Sequence, residues 1–233
     1  LGIRDFLSKR GVQSLVRAVS ARDPFQGSEL LVETYGLGTL VPNTVLLGDS
    51  EDPKHTTRYC RMVERMFFAK KNVLIVRDNP EMGYGNRQVI DIWWGGLQGN
   101  GALMLILAYL LQSSIRWQHA RVRLKMVVPS EEAAEDARRN LAIMAERTRT
   151  GAEPVVLVSN GKPFFEILKE SSSDADLVLM GIARPREGTF EEYYVNLREK
   201  TKALPSTVFV LAAEEIAFRE VLLRYDHRMD RLE

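Results

Sequence analysis

Short apolar runs alternate with longer segments of mixed polarity along most of this chain. The runs are continuous, which is typical of strands covered on both faces of a parallel sheet. They predict strands at 44–47, 72–76, 89–93, 122–128, 154–158, 176–180 and 207–211. Helical spacing and capping residues predict helices at 49–69, 100–114, 131–148, 163–171, 189–203 and from 213 onward. This alternation predicts an α/β fold, a mainly parallel sheet with helices on both faces.

The same pattern divides the chain into three parts. Apolar side chains spaced among basic ones from 3 to 22, with a break near Gly11, predict a leading helical segment over residues 1–34. We expect this segment to pack on the body of the domain or on another subunit. Residues 35–128 and 129–233 each predict an α/β subdomain, and the pattern leaves open whether the two share one continuous sheet.

The segment 90–96 places two of the three tryptophans side by side, directly before a glycine pair. Alternation along a strand puts Trp93 and Trp94 on opposite faces, so both faces of the predicted sheet should be covered there. We interpret both tryptophans as core packing rather than as a platform on which a ligand stacks.

Composition narrows the class of protein. Of 233 residues, 45% are hydrophobic and 27% charged, and the formal net charge is +1, so nothing in the overall charge favours nucleic acid as a partner. The longest apolar run, 101–111, is about half of the roughly 20 residues that a membrane span needs. The sequence begins with Leu1 and shows no secretory leader, which leads us to expect a piece of a longer protein.

Residues that could support catalysis form no recognisable pattern. The single cysteine, Cys60, excludes an internal disulfide and favours a reducing compartment. Its place in an amphipathic helix predicts packing, and no histidine is spaced as its base. The carboxylates lie on predicted helix faces, and no histidine–cysteine cluster has metal-ligand spacing. We therefore predict no enzyme activity, no metal and no cofactor.

A candidate ligand site follows from topology alone. Ligands of open parallel sheets bind at the carboxyl ends of the strands, where this chain places Asp49, Gly181 and Arg184. Asp49 could accept hydrogen bonds from a ribose or an amine, and Arg184 could pair with a phosphate. These three are the candidate nucleotide-binding residues, and ordinary turn and cap roles are the alternative.

Four stretches of the sequence suggest a family. Two specific ones are 35–48, where Pro-Asn-Thr leads into Val-Leu-Leu-Gly, and 90–94 with the glycine-rich entry into 103–111; weaker ones are 175–181 and 204–208. Together they resemble the cytosolic carboxy-terminal domain of the cation-chloride cotransporters. The similarity spans about residues 30 to 220, and the compact length resembles that of a prokaryotic member.

This resemblance implies a function that the residue patterns alone do not. The family couples chloride movement to sodium and/or potassium through a membrane domain. Its cytosolic domain consists of two halves similar to universal stress proteins, and it takes part in homodimerisation and regulation. A member of this family would be tethered at the cytoplasmic side of the cell membrane by the membrane domain of the same polypeptide. The ion-binding residues belong to that membrane domain, so none is transferred to this chain.

Nucleotide binding is a separate question. Universal stress proteins that bind ATP use a glycine-rich loop after a late strand, whereas 181–188 lacks the second glycine of that motif and contains Pro185. A free-standing, universal-stress-like nucleotide-binding protein is the alternative to the cotransporter interpretation. A small hydrolase or transferase with an unrecognised site is a third possibility.

Overall fold

The computed structural model describes residues 2–36, 41–50, 52–95, 98–147, 150–186 and 188–213. The chain divides into two compact units, Leu1–Val41 and Pro42–Glu233. The predicted helix from 213 onward lies outside the described residues, apart from its first residue.

The first unit contains two short helices, α1 (Ile3–Lys9) and α2 (Pro24–Thr34). The predicted break near Gly11 is confirmed, since its φ of 68° lies in the left-handed region. The part of the stripe that follows, up to residue 22, is not helical. The stripe also did not indicate α2. Its local signal is Asp23, whose carboxylate accepts hydrogen bonds from the backbone N–H groups of Phe25 and Gln26, followed by Pro24 at the first helical position.

The second unit is an α/β domain in which strands and helices alternate. The strands are β1 (Thr44–Gly48), β2 (Asn72–Arg77), β3 (Val89–Trp93), β4 (Arg121–Val128), β5 (Glu153–Val158), β6 (Leu177–Gly181) and β7 (Thr207–Leu211). The helices are α3 (Thr56–Phe68), preceded by a 3-10 turn (Pro53–His55), α4 (Gln98–Gln112), α5 (Glu131–Arg147), α6 (Phe164–Ser171) and α7 (Phe190–Lys200). Every predicted strand is confirmed, with bounds that differ by one residue at most.

All seven strands form one sheet, in the order β1-β2-β7-β6-β3-β4-β5. Five of the neighbouring pairs are parallel, which confirms the mainly parallel sheet, and only β2 and β7 pair antiparallel. Consequently β1 and β2 run in the opposite direction to the other five strands. Strands from both predicted subdomains contribute to this sheet, and the division between residues 128 and 129 stays a prediction.

The two tryptophans at the end of β3 contact opposite sides of the sheet, as alternation predicts. Trp93 is buried, donates a hydrogen bond from Nε1 to Oγ of Ser172 at 2.9 Å, and meets the ring of Phe164 edge-on. Trp94 is half-buried and packs against the core cluster beside α4. A Cβ added to Gly101 would lie 2.2 Å from the Trp94 ring, so this glycine makes room for the indole.

Two further expectations concern burial and membrane spanning. Cys60 is buried, as its helical position predicts, and burial raises the pKa of its thiol to about 12. Among the described helices, none is both long enough and apolar enough to cross a bilayer.

Candidate functional site

The chain reverses its direction of travel across the sheet between β3 and β6. From β3 it proceeds outward through β4 to β5, and from β6 it proceeds to β7 on the other side. In open α/β sheets, ligands bind in the crevice outside the carboxyl ends of two such strands. This crevice, which we call the switch-point crevice, lies at the ends of β3 and β6 and includes the candidate Gly181.

Asn100, at the start of α4, occupies the switch-point crevice. It is buried, its Nδ2 donates to the carbonyl of Ile182 at 2.9 Å, and its Oδ1 accepts from the N–H of Ala212 at 2.7 Å. A Cβ on Gly181 would come within 2.9 Å of the Asn100 Cβ. The glycine is therefore explained by close packing against Asn100, and sequence reasoning had no signal for this contact.

Asp49 lies at the opposite end of the sheet from Gly181 and Arg184. Because β1 runs antiparallel to β6, the carboxyl ends of these two strands point to opposite ends of the sheet. The three candidates do each follow the carboxyl end of a strand, but these strands do not all run in the same direction. The structure brings Gly181 and Arg184 into one loop but does not bring Asp49 to them.

The Asp49 carboxylate already has protein partners. Its Oδ1 accepts from the Tyr194 hydroxyl at 2.9 Å, and its Oδ2 accepts from Nε of Arg198 at 3.1 Å. Burial raises the pKa of the Tyr194 phenol far above its usual value, so Tyr194 stays a neutral donor. Nearby, the Tyr59 hydroxyl donates to the carbonyl of Gly48 at 2.8 Å. These contacts join β1 to α3 and α7, which indicates a structural role for the carboxylate.

Arg184 lies in a cavity beside the switch-point crevice, which we call the arginine pocket. Its volume is about 500 Å³, and it is lined by Ala183, Arg184, Pro185, Arg186, Thr189, Phe190 and Tyr193. The N–H of Ala183 donates to Oη of Tyr193 at 3.0 Å, and burial raises the pKa of that phenol. Within the part of the chain that the structure describes, the guanidinium groups of Arg184 and Arg186 make no ion pair and no hydrogen bond. The arginine pocket is thus the place where a candidate residue faces open space.

A buried group of charges that sequence reasoning missed lies on β3 and β4. The Asp91 carboxylate is fully buried and contacts Nε of Arg123 at 2.5 Å and Nζ of Lys125 at 2.8 Å. The hydroxyl of Ser172 donates to Asp91 Oδ2 at 2.7 Å, and Arg123 also pairs with Asp174 at 2.8 Å. We call these five residues the Asp91 network.

The pKa shifts in the Asp91 network follow from burial and pairing. Burial lowers the pKa of Lys125, while the hydrogen bond with Asp91 opposes that shift. The hydrogen bond from Arg123 lowers the pKa of Asp174. The available sequence signal was the alternation of basic residues along β4, which is unusual in a strand expected to be buried.

The described residues were also compared with the prediction that the chain binds no metal. No group of three or more His, Cys, Asp or Glu within those residues could hold a metal ion. In the Asp91 network, the hydroxyl of Ser172 is buried and bonded to the carboxylate.

Two comparisons with known proteins bear on the class of this domain. The model of solute carrier family 12 matches residues 82–163, a region that contains β3, α4, β4, α5 and β5. The fold is similar to a solved structure described as the "cytoplasmic domain of a prokaryotic cation chloride cotransporter", with a TM-score of 0.65 and 22% sequence identity. That alignment covers 92% of this chain and 79% of the other.

These findings confirm the resemblance predicted from the sequence. The mixed α/β fold with a mostly parallel sheet is the fold of that cotransporter domain. The family-model match falls on the second of the specific stretches, since it includes 90–94 and the entry into α4.

Proposed function

We propose that this chain is the cytosolic regulatory and dimerisation domain of a cation-chloride cotransporter. The observation that supports this most directly is the solute carrier family 12 match, combined with a fold similarity over nearly the whole chain. In this proposal a membrane domain of the same polypeptide moves chloride together with sodium and/or potassium and holds this domain at the cytoplasmic face. The domain itself catalyses no reaction.

The proposed mechanism is a shift between arrangements of the attached membrane domains. A cytosolic dimer can favour one arrangement only by making contacts that differ between the two, because a partner with equal affinity for both shifts nothing. Rigid-body movement of packed domains is a common form of such a transition. A single sheet of seven strands is a rigid body of the kind that this mechanism needs.

The gene sequence upstream of Leu1 tests the cotransporter assignment. We expect it to encode several apolar segments of about 20 residues each, with lysine and arginine enriched in the loops of the cytoplasmic side. Sequencing or genome inspection reads this directly. A start codon immediately before Leu1, or only a further soluble domain upstream, would overturn the assignment.

The exposed side of α4 supports the dimerisation part of the proposal. The helix contains no charged residue over Gln98–Gln112, although its last turns reach the surface. Leu110 is 58% exposed, and Ile115, just after the helix, is 87% exposed. In a two-fold dimer the same surface of both copies meets at the axis. An uncharged surface suits this arrangement, because no like charges are brought together. We therefore propose that the dimer contact lies on this helix.

Leu110→Glu tests that placement. The carboxylate would be buried without a partner in an apolar contact, so we expect the dimer dissociation constant to rise by about tenfold or more. Sedimentation velocity over a concentration series measures it. The side chain is exposed in the single chain, and the far-UV circular dichroism spectrum should therefore stay unchanged.

Val195→Glu is the matched control, because Val195 on α7 is also exposed, at 47%, and receives the same charge. We expect its dissociation constant to stay within about twofold of the original. Equal weakening by both variants would remove α4 as the contact. A strictly monomeric original chain at high concentration would remove the dimer.

The alternative of a universal-stress-like nucleotide-binding protein is less well supported by the geometry of its expected crevice. The buried Asn100 side chain bonds the residues that follow β6 and β7, and Pro185 stands in the loop where a glycine cradle would hold phosphate. Both oxygens of Asp49 are bonded to protein groups. A nucleotide could not use these positions without displacing contacts that hold β6, β7 and α7 in place.

A further inference from the structure

The first unit, Leu1–Val41, leaves its large apolar side chains at the surface. Among its described residues only Gly27 is buried. Four of the apolar side chains before α2 are exposed by 48 to 71%, namely those of Ile3, Phe6, Val12 and Leu15. We call these four side chains the leading apolar surface. A unit that buries so little apolar area within itself offers that area to a partner.

Basic residues are interspersed with the leading apolar surface. Residues 1–22 contain five basic side chains and one acidic side chain. Three of the basic ones, Arg4, Lys9 and Arg10, lie on α1 or directly after it and are exposed. The Arg10 guanidinium lies 4.3 Å from the centre of the Phe6 ring, so a positive charge and an exposed apolar side chain occupy the same place.

The other acidic residues of this unit belong to α2 and its cap. They are Asp23, Glu29 and Glu33, and the helix contains no basic residue. The Asp23 carboxylate accepts hydrogen bonds from the N–H groups at the start of the helix, as described above. The positive charge of the unit is therefore concentrated before α2, in the stretch that also carries the leading apolar surface.

Hydrogen bonds hold the non-helical part of this stretch beside both helices. Arg4 of α1 donates to the carbonyl of Val16 at 3.4 Å, and Arg17 donates to the carbonyl of Thr34 at 3.2 Å. The Tyr35 hydroxyl donates to the carbonyl of Leu15 at 3.2 Å, while the Leu15 side chain stays 71% exposed. The backbone that presents the exposed side chains is thus held in place, which lowers the entropy cost of binding.

We propose that residues 2–22 bind the surface of a membrane that contains anionic lipids. Such a surface has anionic headgroups above an apolar interior, which complements basic side chains interspersed with exposed apolar ones. A second copy of this chain fits less well, because a two-fold axis would bring the basic residues of both copies together. The inference rests on the charges and exposed side chains of this unit and stands independently of the cotransporter proposal.

Co-sedimentation of the full chain with lipid vesicles tests the proposal. The probes are vesicles of phosphatidylcholine mixed with phosphatidylserine, and vesicles of phosphatidylcholine alone. We expect half-maximal binding at a lipid concentration at least about tenfold lower with the anionic vesicles, since each basic residue near such a surface contributes a factor of about five. Binding to the anionic vesicles should weaken as added salt screens the charges.

Two double variants separate the contribution of the charges from that of the apolar side chains. Lys9→Gln with Arg10→Gln should raise the half-maximal lipid concentration by about tenfold or more, because two charges near the headgroups are lost. Phe6→Ser with Leu15→Ser should raise it by a similar factor of about ten, because two apolar side chains no longer enter the interface.

Matched controls place the same changes outside the first unit. Arg61→Gln with Arg116→Gln removes two exposed charges, and Leu46→Ser with Ile143→Ser changes two apolar side chains that are exposed by 66% and 48%. Both controls should bind within about twofold of the original chain. Far-UV circular dichroism shows whether each variant keeps its fold.

A fluorescent label reports where the membrane contact lies, without removing any charge. The single cysteine, Cys60, is buried, and burial raises the pKa of its thiol to about 12, so it does not compete for a thiol reagent. A polarity-sensitive label on Leu15→Cys should shift its emission to shorter wavelength when anionic vesicles are added, because the label leaves water. The same label on Ile143→Cys should not shift.

Three results would overturn the proposal. They are equal or absent binding to the two kinds of vesicle, equal weakening by the variants and their controls, and a label at position 15 that stays in water while the chain is bound. Absence of binding would leave a protein surface as the partner, as the sequence led us to expect. None of these readouts depends on dimerisation or on a membrane domain, so this proposal and the cotransporter proposal can fail separately.

Discussion

Replacing Asp91 by alanine is expected to lower the free energy of unfolding by about 3–5 kcal/mol. The carboxylate is the shared counter-ion of Arg123 and Lys125, whose side chains are 12% and 2% exposed. Its removal takes the buried counter-charge from both cations and the acceptor from Ser172, and it leaves Arg123 with the exposed Asp174 and Lys125 with the neutral Ser171. Urea unfolding followed by far-UV circular dichroism measures the loss.

Asp174→Ala separates the buried charge from the surface charge. Asp174 pairs with the same Arg123, but its side chain is 61% exposed, so we expect a loss of at most about 1 kcal/mol. Asp91→Asn should fall between the two, because the amide keeps the shape and an acceptor but loses the charge. A loss in Asp91→Ala as small as that in Asp174→Ala would mean that the buried charges do not stabilise the sheet.

Replacing Asn100 by alanine is expected to cost about 2–4 kcal/mol of the same free energy. The amide joins the chain after β6 to the chain after β7, through the Ile182 carbonyl and the Ala212 N–H. Alanine removes both partners at once and leaves two backbone groups unsatisfied in a buried position. The measurement is again urea unfolding, with the slope compared to detect a change in the surface exposed on unfolding.

Asn140→Ala is the control for this second change. Asn140 is exposed within α5 and makes no side-chain hydrogen bond among the described residues, so alanine should be neutral or slightly stabilising through its higher helix propensity. Asn100→Asp keeps the acceptor for Ala212 but sets a carboxylate against the Ile182 carbonyl, and we expect it to destabilise at least as much as alanine. Equal stability of the alanine variants at 100 and 140 would contradict the bridging role.

Local patterns predicted most of the elements, because strand and helix periodicity depends on residues that are near in sequence. The continuous apolar runs at β2, β6 and β7 are visible without any tertiary information. Trp93 and Trp94 were correctly assigned to opposite faces for the same reason. The break of the leading stripe at Gly11 was likewise predicted, whereas the part from there to residue 22 is not helical although its apolar spacing continues.

The candidate site was predictable only in part. Arg184 was correctly placed after β6 and lines an open cavity, since a strand end is a local feature. Its neighbour Arg186 was not singled out, because nothing local says that the two share one cavity. Asn100 was missed altogether, since an asparagine at a helix start is ordinarily read as a cap.

By itself the sequence determined the alternation of seven strands with helices, the burial of both sheet faces and the family resemblance. Only the tertiary structure decided the strand order. With it came the antiparallel pairing of β2 with β7, which places Asp49 and Arg184 at opposite ends of the strands. It also decided that Asp91 meets Arg123 and Lys125 on the neighbouring strand. The physical reason is that strand pairing and charge pairing join residues distant in sequence, and their geometry is settled by how the whole sheet packs rather than by local periodicity.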